Sequence, residues 1–204
     1  MPRIQQVPVP PLFPTTGPVR VMLVGEAPGP RGADQSGIPF WGDRAGKIVY
    51  QALSRAGLAE VPDEAWKCWD GKILKERDLK PTLHGVALGN AYPICPTKDG
   101  QTFRAPTDAE LRSPENLARI RGDVERAASL CPDRLRIIAM GKRALWLFER
   151  LRRLEGAPDF ELHVLPHPSA QGLLQGAPNK GKGLHLADLE LAWRARLAEL
   201  LTIS

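Results

Sequence analysis

The sequence predicts an α/β fold, a three-layer α/β/α sandwich around a mainly parallel four-stranded sheet, and three observations carry that expectation. Four short apolar runs, Val21 to Val24, Val86 to Leu88, Leu135 to Met140 and Leu162 to Leu165, have the length and continuous hydrophobicity of strands buried on both faces. Each breaks directly into a helix or into a loop punctuated by Gly or Pro. Amphipathic stretches long enough to be crossover helices separate them, which implies parallel strands with helices on both faces.

Taken in order, residues 1–18 carry six prolines and little periodicity, so they are expected to form an extended, Pro-rich segment outside the 19–204 domain, lying over its surface or mobile. The first strand ends at Gly25, Pro28 and Gly29, residues suited to sharp turns and to close approach of a ligand to backbone. A loop then runs to Phe40-Trp41, expected as an exposed aromatic pair, and to Gly42, before an amphipathic helix over Ala45 to Leu58. In open α/β sheets ligands bind beyond the carboxyl ends of strands, so Glu26, Asp34, Phe40 and Asp43 are expected at the mouth of a pocket.

The stretch from Val61 to Gly85 is of mixed polarity, and Trp66, Trp69, Ile73 and Leu74 are expected to anchor it as an irregular excursion. The second strand ends at Gly89-Asn90-Ala91, and the loop after it carries Lys98 and Arg104 before a helix capped near Thr107 or Ser113. The strand Leu135 to Met140 leads through Gly141 into a helix over Lys142 to Leu154, whose opening pair Lys142-Arg143 reads as surface charge. The last strand ends in Pro166-His167-Pro168-Ser169, and Leu184 to Leu201 reads as a final amphipathic helix.

Composition bounds the function classes. The chain has 204 residues, 43% hydrophobic and 25% charged, as expected of one soluble domain with a sizeable core. No apolar run approaches the roughly 20 residues that span a bilayer, and the first residues lack a signal-type apolar core, so a cytoplasmic protein without membrane association is expected. Cys68, Cys95 and Cys131 are widely spaced and odd in number, which argues for reduced thiols and offers no four-ligand metal cluster. A formal net charge of +5 and a pI near 9.3 favour a polyanionic partner.

Four motifs then stand in a fixed order, each at a strand's carboxyl end: GEAPG at Gly25–Gly29, GIPFWGDRAG at Gly37–Gly46, GNAYPICP at Gly89–Pro96 and HPSA at His167–Ala170. Together they resemble the motifs of the uracil-DNA glycosylase superfamily, over roughly Val21 to Leu201. Ala27 in the first motif resembles the prokaryotic families that carry an iron-sulfur cluster. The GDRAG loop is similar to the broader-specificity family, and Glu26 with Pro39-Phe40 to the uracil-selective one. Those families hold the cluster with four cysteines, of which only Cys95 has a counterpart here. Ser113-Pro114 stands where the resemblance expects Cys-Pro, and the N-terminal pair is missing. The expectation is therefore no cluster and no other cofactor.

The resemblance implies removal of uracil from DNA, by rotating the base out of the stack and hydrolysing its N-glycosidic bond, the first step of base excision repair. It implies a monomer acting on uracil-containing DNA. Phe40 would be the stacking platform, although a core phenylalanine is the competing reading. Gly25 and Ala27 would line the base pocket with it. Asn90 offers a donor and an acceptor that match uracil's O4 and N3–H and mismatch cytosine, or else it is simply a turn residue. His167 would stabilise negative charge at uracil O2, the competing reading being a loop histidine satisfied by backbone. The carboxylate that orients water is Glu26, Asp34 or Asp43, of which Glu26 and Asp43 are also helix-cap candidates.

After the last motif, in the glycine-bounded loop QGLLQGAPNKGKG, Leu173 or Leu174 would be an apolar wedge in the vacated stack, a solvated flexible loop with incidental lysines being the competing reading. Ser169, Lys180 and Lys182, with Lys98 and Arg104 opposite, would bind DNA, the lysines and arginine adding salt-dependent phosphate affinity. Two alternatives are a noncatalytic DNA-binding relative and a hydrolase of free nucleosides or nucleotides.

Overall fold

The computed structural model describes residues 3–202. Strand β1 (Val19–Gly25) is buried at every position but Arg20, as an apolar run in the middle of a sheet must be. Short helix α1 (Ala33–Ser36) interrupts the loop after it, and α2 (Arg44–Arg55) follows. The 59–83 excursion holds β2 (Ala59–Glu60), α3 (Asp63–Lys67), α4 (Gly71–Glu76) and β3 (Thr82–Leu83), with β2 and β3 paired antiparallel. Then come β4 (Gly85–Asn90), α5 (Asp108–Leu111), α6 (Pro114–Ser129), β5 (Arg136–Met140), α7 (Lys142–Leu151), β6 (Glu161–Leu165), α8 (Ala170–Gly176) and α9 (Leu186–Thr202).

The main sheet has the order β4-β1-β5-β6, and every neighbouring pair is parallel. Alternation along β1 divides the core. Val21 and Leu23 face one layer with Ile48, Val49 and Leu53 of α2 and Trp193, Leu197 and Leu200 of α9. Val19, Met22 and Val24 face the other with Ile120 and Val124 of α6 and Leu147, Phe148 and Leu151 of α7. The expected three-layer α/β/α sandwich is therefore the fold, and all four strands end at the same edge.

Local details follow from the residues. Thr107 and Ser113 each cap a helix of their own: Thr107 forms a capping box with Glu110 on α5, and Ser113 accepts from Asn116 N–H on α6. In the excursion Leu74 is fully buried, whereas Ile73 is exposed and anchors nothing. Trp66 stacks on Trp69 at 4.9 Å between ring centroids, and Trp69 meets Trp41 edge-on at 4.8 Å. Trp41, expected at the surface, is wholly buried, and its indole N–H donates to Leu79 O at 3.0 Å.

The Pro-rich N-terminal segment is stitched down. Leu12 exchanges two backbone hydrogen bonds with Leu88 of edge strand β4, both 2.8 Å, and Ile4 and Val9 are buried. Prolines elsewhere in the segment leave few backbone donors to satisfy, which suits a strand-like cover on a sheet edge.

Candidate active site

A cleft of about 990 Å³ opens at the carboxyl ends of the four strands. Glu26, Ala27, Phe40, Asp43, Asn90, Arg104, His167 and Ser169 all line it, although they come from five separate stretches of chain. Backbone hydrogen bonds fix the loops to one another: Ala91 N–H donates to Gly25 O at 2.8 Å, and Tyr92 N–H to Glu26 O at 2.9 Å.

Phe40 is buried and adopts a left-handed backbone with φ of 60°, a conformation costing about 1–3 kcal/mol for a non-glycine residue. Its carbonyl packs so closely on Gly46 that no side chain fits at 46, and Tyr50 Oη donates to the preceding carbonyl, Pro39 O, at 3.1 Å. The ring lies over Gly25, where an added Cβ would sit 2.8 Å from Phe40 ring carbons and 3.1 Å from Asn90 Oδ1. Gly25 thus lies behind the platform and lets Phe40 and Asn90 close on the same space.

Asn90 ends β4 and is 4% exposed, and its Nδ2 has no hydrogen-bond partner among the described residues. A buried donor left unpaired costs about 1–3 kcal/mol, so its retention in the cleft wall is informative. The backbone beneath it is clamped: Arg119 Nη2 donates to Asn90 O at 3.0 Å and to Ala91 O at 2.9 Å, while Asp123 pairs with Arg119 at 2.6 Å. This clamp is 29 residues distant in sequence and was not signalled by local pattern.

His167 follows β6, and Trp193 Nε1 donates to Pro166 O at 2.8 Å, fixing the turn that carries it. Its Nδ1 accepts the Ser169 backbone N–H at 3.2 Å, so the neutral ring bears its proton on Nε2. Burial pushes the imidazole below its ordinary value of 6.5, against the opposing pull of Glu26 and Asp43. Ser169 is the α8 cap, its Oγ accepting Gly172 N–H at 3.1 Å, besides lining the cleft.

Asp43 does both things the sequence allowed, capping α2 through Oδ1 and Gly46 N–H at 2.8 Å while facing the cleft. Its carbonyl accepts from Trp69 Nε1 at 2.7 Å. Burial raises its pKa, against the lowering effects of the Gly46 N–H and of His167. Glu26 caps not its own neighbouring helix but α7, accepting Arg143 N–H at 3.2 Å. Asp34 is elsewhere: it is buried outside the cleft, and its Oδ2 accepts Gln5 N–H at 2.9 Å and Gln35 Nε2 at 2.8 Å. It holds the N-terminal segment and is too enclosed to reach a water in the cleft.

The nucleic-acid candidates separate. Leu173 is in the core at 4% exposure, because the expected wedge loop is helix α8. Leu174 is half-buried and packs on Gly181. Lys98, Lys180 and Lys182 are exposed but outside the cleft lining. Arg104 lines the cleft yet is held in a two-pronged pair with Glu110, with Nη1 to Oε2 at 2.7 Å, and this pair brings the Glu110 carboxyl down to about 2. The sequence had not marked Phe103, Gln171 or Gln175 as cleft residues. Lys142 and Arg143 are also cleft residues and not simply surface charge, and Arg143 reaches across to Asp108 at 2.7 Å.

The residues do not fit the iron-sulfur cluster that the sequence resemblance raised. Cys68 ends α3, Cys131 follows α6 and Cys95 lies in the loop after β4. Among the described residues no three His, Cys, Asp or Glu side chains gather as a metal site. Burial, with Asp34 adding to it, pushes the Cys95 thiol up to about 12.

Comparisons with known proteins agree with this geometry. A type-5 uracil-DNA glycosylase of Thermus thermophilus is 32% identical over 126 residues, 62% of this chain and 48% of that protein. One from Mycobacterium leprae is 49% identical over 43 residues, 21% of this chain and 19% of its own. The matches thus span about half of the Thermus relative's length and a fifth of the mycobacterial one's. The crystal structure of Pedobacter heparinus SMUG2 shares the fold, with a TM-score of 0.52 at 11% identity, covering 91% of this chain and 77% of that one. The model of the uracil DNA glycosylase superfamily matches residues 13–187, most of the chain, and the protein belongs to that superfamily.

Proposed function

We propose that this protein is a monofunctional DNA glycosylase that hydrolyses the N-glycosidic bond of deoxyuridine in DNA, leaving an abasic site and starting base excision repair. The observation that carries the reading is the convergence of Phe40, Asn90, His167 and Asp43 on one cleft from loops far apart in sequence. A uracil turned out of the duplex stacks on Phe40. The unpaired Asn90 Nδ2 donates to O4 and Oδ1 accepts N3–H. Cytosine presents the opposite pair of groups at this edge and leaves both amide atoms mismatched.

As the bond between N1 and C1′ stretches, its electrons pass to the uracil ring and the sugar becomes cationic. The Nε2–H of neutral His167 donates to O2, where the charge accumulates, and it needs no proton transfer to do so. The carboxylates of Asp43 and Glu26 offset the sugar's positive charge. Water adds its oxygen to C1′ and gives a proton to Asp43, which burial makes more basic than an ordinary aspartate. Glu26 already accepts Arg143 N–H and serves as a fixed charge. No cofactor enters these steps. We infer that it acts as a monomer in the cytoplasm; no described helix is long and apolar enough to cross a membrane.

The test is a labelled oligonucleotide with one uracil, treated with alkali after incubation. Cutting at the uracil supports the glycosylase. A gel shift with no cutting supports a noncatalytic binder, and release of uracil from free deoxyuridine alone supports a nucleoside hydrolase.

A further inference from the structure

We propose that Phe103 is the side chain that enters the DNA stack and packs on the base beside the extruded nucleotide, a role that rests on the uracil-in-DNA reading above. The segment expected to supply an apolar wedge cannot do so. In α8, Leu173 belongs to the core and Leu174 lies on Gly181, while α8 turns Gln171, Gly172, Gln175 and Gly176 to the cleft, none of them with an apolar side chain to insert. The stack opened by base extrusion still needs an apolar filler, since the neighbouring bases otherwise lose a stacking partner to water.

Phe103 has the required placement. It lines the same cleft as Phe40 and Asn90, on the loop that leaves β4, and is 44% exposed, in contrast to buried Phe40. Its backbone is held rigidly. Phe103 forms an antiparallel bridge with Thr97, and Arg104 N–H beside it donates to Pro96 O at 3.1 Å. The turn between is laced by Asp99, whose Oδ1 accepts the N–H groups of Gln101 and Thr102 at 2.9 and 2.6 Å. Gly100 O in turn accepts Ile4 N–H at 3.2 Å, tying the turn to the N-terminal segment. A rigid aromatic with two side-chain torsions loses little freedom when it stacks. Arg104 next to it also lines the cleft but is locked on Glu110, so of these two neighbours the phenyl ring is the one left free to contact a base.

The experiment compares single-turnover cutting of the same uracil oligonucleotide, single-stranded and in duplex, by wild-type, Phe103→Ala and Phe103→Trp proteins. Phe103→Ala is expected to lose roughly 5- to 150-fold on duplex, the range of one base–aromatic stack, and to stay within about twofold on the single strand. Phe103→Trp is expected to restore duplex cutting. With 2-aminopurine beside the uracil, whose fluorescence rises when its neighbour leaves the stack, binding of Phe103→Ala should raise the signal more than binding of wild type, whose phenyl ring refills the stack. Equal loss on both substrates, or no loss on either, overturns the role of Phe103 and leaves the glycosylase reading standing. A wild-type protein that cuts neither substrate overturns both.

Discussion

The backbone N–H of Ser169 donates to Nδ1 of His167, and this single 3.2 Å contact decides which ring nitrogen can face a ligand. The two residues belong to one motif, and Ser169 at the same time caps the helix that begins at Ala170. A neutral imidazole with its proton on Nε2 is a hydrogen-bond donor, and burial keeps it neutral.

His167→Ala should therefore lower cutting by about 10²–10³-fold, the worth of one preorganised donor to a developing anion. The same burial has a consequence for stability. A histidine whose folded pKa lies below its ordinary 6.5 contributes fully above that value and loses its contribution as pH falls through the folded pKa. Chemical denaturation of wild type across pH 7 to 5 should show stability falling, and His167→Gln should flatten that slope.

Asp43→Asn separates chemistry from folding. Asparagine caps helices as well as aspartate does, so the α2 start survives. Because burial raises the Asp43 pKa, the ionised carboxylate weighs against the fold at neutral pH and favours it only when protonated. The variant should melt at the same temperature as wild type or higher, while kcat falls about 10²–10⁴-fold. In wild type the acid limb of the kcat profile should lie above the pH at which an ordinary aspartate titrates.

Asn90→Ala removes a buried amide donor that has no partner. Thermal melting should show stability unchanged or raised by about 1 kcal/mol, with cutting of uracil reduced roughly 10²-fold or more. Loss of stability with normal cutting would assign the residue to the turn alone.

Gly25→Ala places a methyl 2.8 Å from the Phe40 ring and 3.1 Å from Asn90 Oδ1. The platform must shift, and small misplacements of binding groups are expensive in rate, so kcat/KM should fall about tenfold to a hundredfold. Leu173→Ala has the opposite profile: about 2–5 kcal/mol of stability lost from the core, with folded protein still cutting.

Much of this arrangement was legible in the residues. Strands buried on both faces read as unbroken apolar runs, and short polar motifs at their ends marked the loops that line the cleft. What escaped depended on distance or on helix formation in short segments. Asp34 looked like its neighbours Glu26 and Asp43, and only its contact with Gln5, 29 residues away, takes it out of the cleft. Leu173 and Leu174, between glycines, read as a loop because two glycines weaken a seven-residue helix that Ser169 nevertheless caps. Trp41 beside Gly42 read as exposed, whereas Tyr50 and Trp69 meet its ring edge-on and Trp66 stacks behind Trp69.

The most direct measurement is a crystal structure of the protein soaked with free uracil. The account predicts the ring stacked on Phe40, with O4 about 3 Å from Asn90 Nδ2 and O2 about 3 Å from His167 Nε2. Uracil bound away from these three side chains, or a cleft that takes up none at saturating concentration, would contradict it.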